Sequence, residues 1–547
     1  MTSQVNRGRD DDAFPVVVVG AGLAGLTAAL HLAARGVPPL VLEADLEWPG
    51  GRLSGGAPDT FEYGGRTWAF HTEHGAHALW GAYDNLRAVL DRFLDITLRE
   101  SEGEEWINRW GNEVRYVEAG SVVRNSKLPA PFHYLQLLFN PAFWNTISPW
   151  DFLALPGLLV SIFLTLSVDP IRERVALDGL LMKDYFKLWT PNLRATFVGL
   201  GHSLLAAPSE EITLAGFIGA IRFYTMLRRD SWRLSYLPAN ANDCLIRPMI
   251  RKIEDMDGWV MTGARADSLQ RRDGGWQVLV EDTQRGGMRT VRAEHVIVAT
   301  DPGAAQAIFC NSPDTAEVAG GLCFPPVIRS ATARLWFDAC PRDGAPGGMF
   351  TGDFAIDNFF WLHRLHDEFF EWREATGGSA IEVHFYAPDR VLDQSDEVLL
   401  ITAIKEVQRA FPSLKGHYVH GAIRRNGRTQ TRFLIPTAHS LHVQTPWPGI
   451  LACGDWIGYP SPAYWMERSC VTGMAAANAV LRAYAALGRA AAEPWDIIPP
   501  RRPEALARGI GAGLYALRKL FGPPILGGAR LARRLFGGRA RSGNVGA

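Results

Sequence analysis

Four consecutive valines, Val16 to Val19, stand near the start of the chain. So short and uniform an apolar run predicts a strand buried on both faces, as in a parallel sheet. Small residues from Thr27 to Arg35 follow in a helical pattern, and Leu40-Val41-Leu42 reads as a second buried strand ending at Glu43. Far downstream, Trp259 to Leu269 predicts strand, turn, strand, with Gly275 to Val280 paired to it and Val296-Ile297-Val298 as another buried strand. Apolar and polar residues alternate over Ala331 to Phe337, Asn358 to Leu365 and Ser379 to Tyr386, which predicts the strands of a second sheet. Helical patterns cover Leu177 to Leu188, Pro191 to Leu205, Ile212 to Leu227, Leu245 to Ile253 and Val398 to Phe411. A last strand, Ile450-Leu451-Ala452, precedes a small-residue helix from Met474 to Leu481. The order implies an α/β fold in which one sheet is assembled from three separated stretches.

Two stretches are apolar in another way. Phe152 to Val168 is almost uncharged but falls short of the ~20 residues of a bilayer span, and carries Pro156 and Gly157 near its start. It reads as a monotopic patch or a substrate-channel helix, with a bilayer crossing as the alternative. From Arg501 onward ten Lys and Arg residues face one acid, Glu504, with leucines and aromatics interleaved. Basic amphipathic helices lie on anionic membranes; a solvated arginine-rich tail is the alternative.

The candidate chemistry begins where the first strand ends. Gly20-Ala21-Gly22-Leu23-Ala24-Gly25 has G-x-G-x-x-G spacing between a predicted strand and a predicted helix. Gly20 permits the tight turn, Gly22 lets a pyrophosphate approach the backbone, and Gly25 lets helix and sheet pack closely. The helix N-terminus offers free N–H groups to the phosphates. Glu43, about 20 residues on, is the acid that binds a ribose. Pro49-Gly50-Gly51-Arg52 follows at once and suits a long diphosphate cofactor.

These motifs resemble the FAD-dependent amine oxidase and phytoene desaturase superfamily. Glu73, Gly75, His77, Gly81, Tyr83, Asn85 and Leu86 match the carotene desaturases in particular. The resemblance implies a discontinuous Rossmann-type FAD-binding domain with an inserted mixed-sheet substrate domain and a helical membrane-facing subdomain. It implies that Gly20 to Gly25, Glu43, Ala44, Gly51 and Arg52 hold the nucleotide, with Arg52 near the diphosphate. Gly75, Ala76 and His77 would pass beside the isoalloxazine. Ala266 would hold the adenine through its backbone, and Ala299 would lie beside the dinucleotide. Gly454 and Asp455 would meet the ribityl or diphosphate region, and Met466 and Glu467 would stand at the helix that faces the ring. Two positions depart from the family pattern: Arg468 replaces a glycine and Thr472 a serine. Arg468 would either add a cation at the ring or face outward.

On this reading residues 1–13 are a disordered lead-in. Residues 14–99, 253–329 and 449–490 make the FAD-binding domain, 100–252 the helical subdomain, 330–448 the substrate-binding sheet, and 491–547 the tail.

Composition narrows the function. Lys+Arg (56) and Asp+Glu (57) nearly cancel, so no nucleic-acid partner is implied. Six cysteines without a Cys-x-x-Cys read as small buried residues in a reducing compartment. The polar first twelve residues show no secretory signal. His71, His74 and His77 lack the companions of a metal site. Nothing resembles a Ser-His-Asp set or a P-loop, and no acid–base pair is evident. That suits flavin chemistry on a hydrocarbon, where the cofactor takes the hydride and no protein residue is assigned as catalytic. The expectation is a cytoplasmic, peripheral membrane enzyme that desaturates or isomerises a carotene-like polyprenoid and passes electrons to a quinone, with oxygen as the fallback. The rivals are a flavin amine oxidase with Trp456 and Trp465 as an aromatic cage, a hydroxysqualene-type lipid oxidoreductase, and a non-catalytic scaffold.

Overall fold

A computed structural model describes residues 13–536, apart from 111, 112, 172, 174–176, 178, 273, 352 and 490–492. The expected lead-in lies outside the described residues except for Ala13, which begins the first strand.

The first sheet joins three distant stretches of chain. Five parallel strands run in the order Trp259–Met261, Leu40–Leu42, Ala13–Val19, Met288–Val298, Ile450–Ala452. Their register puts Met261, Leu42, Val19, Val298 and Ala452 in one row, so all five carboxyl ends finish level. Ligands of open α/β sheets bind just outside that edge. The amino-terminal half of Met288–Val298 instead pairs antiparallel with Gly275–Asp282, which pairs with Ala264–Arg272. Val16 to Val18 are fully buried, as a strand covered on both faces requires. Two helices, Leu23–Ala33 and Trp465–Ala486, pack on this sheet and on each other. They touch at Gly473, where a Cβ would lie 2.5 Å from the Ala24 carbonyl oxygen.

The second sheet has seven strands, in the order Tyr418–Thr431, Val327–Phe337, Ser379–Phe385, Asn358–Trp361, Gly347–Phe350, Glu104–Trp110, Glu113–Glu118. Its last two strands belong to the stretch expected to be helical. Trp106 and Ile107 are buried there because the hairpin closes the edge of the sheet rather than capping a helix bundle. Among the described residues of 177–188, Met182–Tyr185 is the α-helical part, whereas Pro191–Leu205 is a continuous helix. Cys453 and Cys470 are buried, Cys244 is half-buried, and Cys310, Cys323 and Cys340 are exposed; all six are free thiols.

The segment Pro149–Ser167 is 19 residues long, with a mean hydropathy of 1.7 and 39% of its apolar window buried. Its polarity is inverted. Ser161 donates to the Tyr185 carbonyl at 3.0 Å and accepts from the Trp189 indole at 3.0 Å, and Thr165 meets the Tyr185 hydroxyl at 2.7 Å. A Cβ at Gly157 would lie 2.5 Å from the Leu188 carbonyl, so the helix sits tight on the protein there. The large apolar side chains face away: Trp150 is 74% exposed, Phe152 62%, Leu153 71% and Leu159 59%. The long helix Ala505–Phe536 packs beside this one. Several of its cations are already paired: Lys519 meets Glu173 at 2.9 Å, and Arg518 binds the same carboxylate. Arg501, just before the helix, binds Asp84 and Asp230.

Candidate active site

A cavity of about 770 Å³ opens at the level edge of the first sheet and runs toward the second. That lies within the roughly 300–1,000 Å³ range of ligand pockets.

At its first end the three glycines of the fingerprint stand in three different surroundings. Gly20 has φ +105°, and a Cβ there would lie 2.8 Å from the Ala299 carbonyl. A Cβ at Gly25 would lie 2.1 Å from the Gly20 carbonyl, so helix and strand touch through bare backbone. At Gly22 a Cβ would meet only the Gly50 carbonyl, at 4.0 Å; the space above it belongs to the cavity. Gly22, Leu23 and Ala24 line the wall at the start of the helix, and no side chain caps it. Its first N–H groups are therefore available to an anion. Glu43 and Ala44 line the same end. The Glu43 carboxylate accepts from the N–H groups of Ala21 at 2.8 Å and Asp45 at 2.9 Å. Burial raises its pKa, and those N–H groups work against the rise. Ala266 and Ala299 also reach the wall, Ala266 beside a break in register that turns its strand.

Gly51 and Arg52 form the next part of the wall. The Arg52 guanidinium pairs with Asp455 at 2.8 Å, joining two stretches that the resemblance assigns separately to the diphosphate and the ribityl chain. Gly454 precedes Asp455 and is held through its N–H by the Thr472 hydroxyl at 3.0 Å, so threonine serves where the family has serine. Trp465, Met466 and Ser469 complete this side. The Arg52 guanidinium lies 5.8 Å from the Trp465 ring. The Trp465 indole donates to Leu204 O at 2.8 Å, and that of Trp456 to Thr300 O at 3.0 Å. Uncapped N–H groups, open backbone at Gly22, a ribose-side carboxylate and a cation together fit an extended dinucleotide.

The middle of the cavity is lined by His74, Gly75, Ala76 and His77 from one side and by His384 and Tyr386 from the other. His74 Nε2 is shielded from solvent and has no hydrogen-bond partner among the described residues. Burial lowers the pKa of His74 well below the ordinary value and that of His77 to about 4, so both are neutral. Gly75 has φ +155°, and a Cβ there would lie 2.4 Å from His384 Cε1. Sequence reasoning missed the opposite wall. Glu382, His384 and Tyr386 alternate on one face of the strand Ser379–Phe385 and its first following residue. The spacing was a visible signal, but a strand carries so many alternating polar residues that only the fold singles these out. Glu382 Oε2 accepts from Arg334 at 2.8 Å, and Oε1 lies 2.8 Å from His384 Nε2. His384 Nδ1 lies 2.9 Å from the Tyr386 hydroxyl. Burial alone would raise the Glu382 pKa, but Arg334 and then His384 hold it well below the usual carboxylate range. Burial pushes the Tyr386 phenol up, so it stays protonated.

Three residues expected at the cofactor lie off the cavity wall. Ala21 points its N–H at Glu43, and Gly25 lies beneath the helix. Glu467 faces away from the cavity. Its carboxylate accepts from Asn85 N at 2.9 Å, Asn85 Nδ2 at 2.8 Å and Leu86 N at 2.9 Å, and so holds the N-terminus of the helix Asp84–Phe93. Burial raises its pKa to about 7, against the pull of those donors. Arg468 neither joins the ring site nor faces outward. It is buried and donates to Ile457 O at 2.7 Å and Ser461 O at 2.9 Å, bracing the loop before its own helix. His71 is bound to the Gly56 carbonyl at 3.0 Å. A Ser–His–Asp series unseen in the sequence does form. Ser209 Oγ lies 2.9 Å from His202 Nε2, whose Nδ1 lies 2.7 Å from Asp357 Oδ1. It stands off the walls of the cavity, and Asp357 Oδ2 also accepts from the Tyr386 N–H at 2.7 Å, so the series clips the inserted helix to the second sheet.

The far end is largely apolar, with Glu104 and Asn358 also on the cavity wall. Trp80, Trp106, Leu200, Trp232, Met349 and Phe360 line it, drawn from both sheets and the inserted helices.

A family model described as "Flavin containing amine oxidoreductase" matches residues 23–481. A carotenoid phi-ring synthase of Streptomyces griseus is 28% identical over 493 residues, covering 87% of this chain and 90% of that protein. The 15-cis-phytoene desaturase of Arabidopsis thaliana is 22% identical over 419 residues, covering 73% of this chain and 66% of that protein. Among solved structures, cyclohexylamine oxidase from Brevibacterium oxydans superposes with a TM-score of 0.60 at 15% identity, over 88% of this chain and 100% of that one. At that identity the likeness is one of fold.

Proposed function

For a chain that belongs to the flavin-containing amine oxidoreductase family, and is thereby an FAD-dependent oxidoreductase, we propose a substrate of the polyprenoid class. The reaction would be the desaturation or isomerisation of a carotene-like hydrocarbon. The observation that carries this reading is the cavity itself, which continues from a nucleotide cradle into an end walled by Trp106, Trp232, Met349 and Phe360. Such a wall offers an extended hydrocarbon roughly 25 cal/mol for each Å² of apolar surface it covers. The similarity to a carotenoid phi-ring synthase over most of both chains points the same way.

When bound, FAD supplies the hydride acceptor. The chain contributes position and exclusion of water. Uncapped N–H groups at Gly22 to Ala24 and the Arg52–Asp455 pair fix the nucleotide, while the aromatic end aligns the substrate. The outward apolar side chains of Trp150, Phe152, Leu153 and Leu159 are the proposed membrane contact, through which a substrate dissolved in lipid would be drawn. Peripheral attachment agrees with the inverted polarity of that helix, whose hydroxyls are spent on the protein. A quinone in the same membrane is the proposed electron acceptor.

Co-expression with a carotenoid pathway, followed by pigment chromatography, tests the reading. A new or consumed carotenoid is expected. If no carotene or squalene derivative changes while polyamines release peroxide, the substrate is an amine and the reading is abandoned. If the purified protein lacks flavin absorbance, the scaffold reading replaces it.

A further inference from the structure

We propose that Tyr386, His384 and Glu382 form a proton relay at the substrate: Tyr386 takes the proton that leaves the carbon next to the one giving up hydride. The inference rests on the polyprenoid reading above, and it names the group that reading lacked.

Both His384 and Tyr386 lie on the cavity wall, whereas Glu382 stands behind them, fully buried. Arg334 occupies one oxygen of Glu382 at 2.8 Å, which leaves the other to face His384 Nε2 at 2.8 Å. A carboxylate held ionised by a guanidinium only accepts, so Nε2 carries the imidazole proton. Nδ1 is then an acceptor, and the group 2.9 Å from it is the Tyr386 hydroxyl. The direction of the relay is thus fixed from the buried ion pair outward. Two neighbours hold it in place. Asp357 grips the Tyr386 backbone at 2.7 Å. Gly75 packs on His384 with no side chain between them, in the segment whose resemblance places it beside the flavin ring.

The step balances as follows. Hydride leaves one substrate carbon for FAD, the oxidant. The neighbouring C–H bond breaks, and its electron pair becomes the second bond of the new C=C. The proton goes to the Tyr386 oxygen as the phenolic proton passes to His384 Nδ1, and the Glu382 carboxylate stabilises the imidazolium. Loss of hydride makes the adjacent C–H acidic, so a neutral phenol–imidazole pair suffices as the base. A positioned base of this kind contributes typically 10²–10⁴-fold.

Glu382→Gln would remove the nearer of the two carboxylates paired with buried Arg334, leaving Glu73 at 3.5 Å, and is expected to disturb the sheet, so Tyr386→Phe carries the test. In Y386F, product formation should slow by about 100-fold, with KM within about two-fold, and with flavin absorbance and Tm unchanged. Deuterium at the proton-losing carbon should slow the variant more than the wild type, because proton loss becomes limiting. A merely structural role would move Tm or KM and leave the isotope effect as it was, and that result overturns the relay. A second readout needs no substrate. Nitrogen NMR of the His384 ring in the oxidised holoprotein without substrate should show a protonated Nε2 and a bare, hydrogen-bonded Nδ1, whose signal shifts in Y386F. A proton on Nδ1 overturns the relay whatever the substrate is. If the NMR result stands but no polyprenoid reduces the wild-type flavin, it is the substrate reading that has failed.

Discussion

At the nucleotide end of the cavity, Gly20, Gly22 and Gly25 complete their task within six residues of chain; at the far end, Leu200, Trp232, Met349 and Phe360 come together only because two sheets and an inserted helix pack. The first end is made of backbone: open N–H groups, a bare carbonyl contact, a turn at positive φ. The second is made of side chains whose neighbours are remote in sequence. A ligand held by backbone is recognised by any sequence that makes the turn. A ligand held by side chains is recognised by a surface that each chain composes anew. One fold can therefore keep its cofactor and change its substrate.

The largest effect should come from the backbone end. Gly25→Leu drives a branched side chain into the Gly20 carbonyl, 2.1 Å from the Cβ position, and is expected to abolish both flavin absorbance and the cooperative thermal transition. Its counterpart is Gly22→Ala. That Cβ has free space, so Tm should stay put while FAD affinity, measured by fluorescence titration, falls. If both glycines behaved alike, the separation of packing from ligand approach would collapse.

Next in size is the buried pair behind the middle of the cavity. Arg334→Met strands the Glu382 carboxylate and should cost about 3–5 kcal/mol in denaturant unfolding. A third test concerns the exposed apolar face of Pro149–Ser167, the proposed membrane contact. Replacing Trp150, Phe152 and Leu153 together by serine should weaken binding to anionic lipid vesicles by at least about 100-fold, since each large apolar side chain buried contributes about 1.5–3 kcal/mol. Exposed as these side chains are, unfolding in vesicle-free solution should hardly change.

The smallest effect is a pH dependence in the nucleotide-end helix. Burial lowers the His31 pKa to about 4, and its Nδ1 sits 2.6 Å from the Thr27 carbonyl. The unfolded chain binds a proton at His31 near pH 6.5 and the folded chain does not until about pH 4. Its contribution is therefore whole above about pH 6.5 and is lost on acidification, by on the order of 2 kcal/mol at about pH 5. His31→Leu should flatten the dependence of Tm on pH across that window.

The same contrast explains what could be read without coordinates. The fingerprint, the acid at Glu43 and the buried strands are local patterns, and the helix Pro191–Leu205 has the bounds its pattern predicts. Glu467 was misplaced because its partners, Asn85 and Leu86, lie some 380 residues away, and nothing near it shows which way its carboxylate turns. Arg468 is the same case: a glycine-to-arginine departure is visible, but the carbonyl cluster that receives it is not. The hairpin Glu104–Glu118 lies in a stretch whose aromatic residues mark burial without period, so nothing local separates strand from helix there. Glu382, His384 and Tyr386 share a face by simple alternation, yet only the packing of the second sheet against residues 74–77 gives that face a purpose.

The level row of strand ends also sets a timetable for synthesis. Val19 emerges early, but its neighbour Val298 follows hundreds of residues later, and Ala452 completes the row only near the end of translation. A nascent chain must carry its four valines unsheltered for most of that interval. Any product that stops short of the last strand would be colourless, and a ribosome pause before it would present the chaperones with a half-built edge.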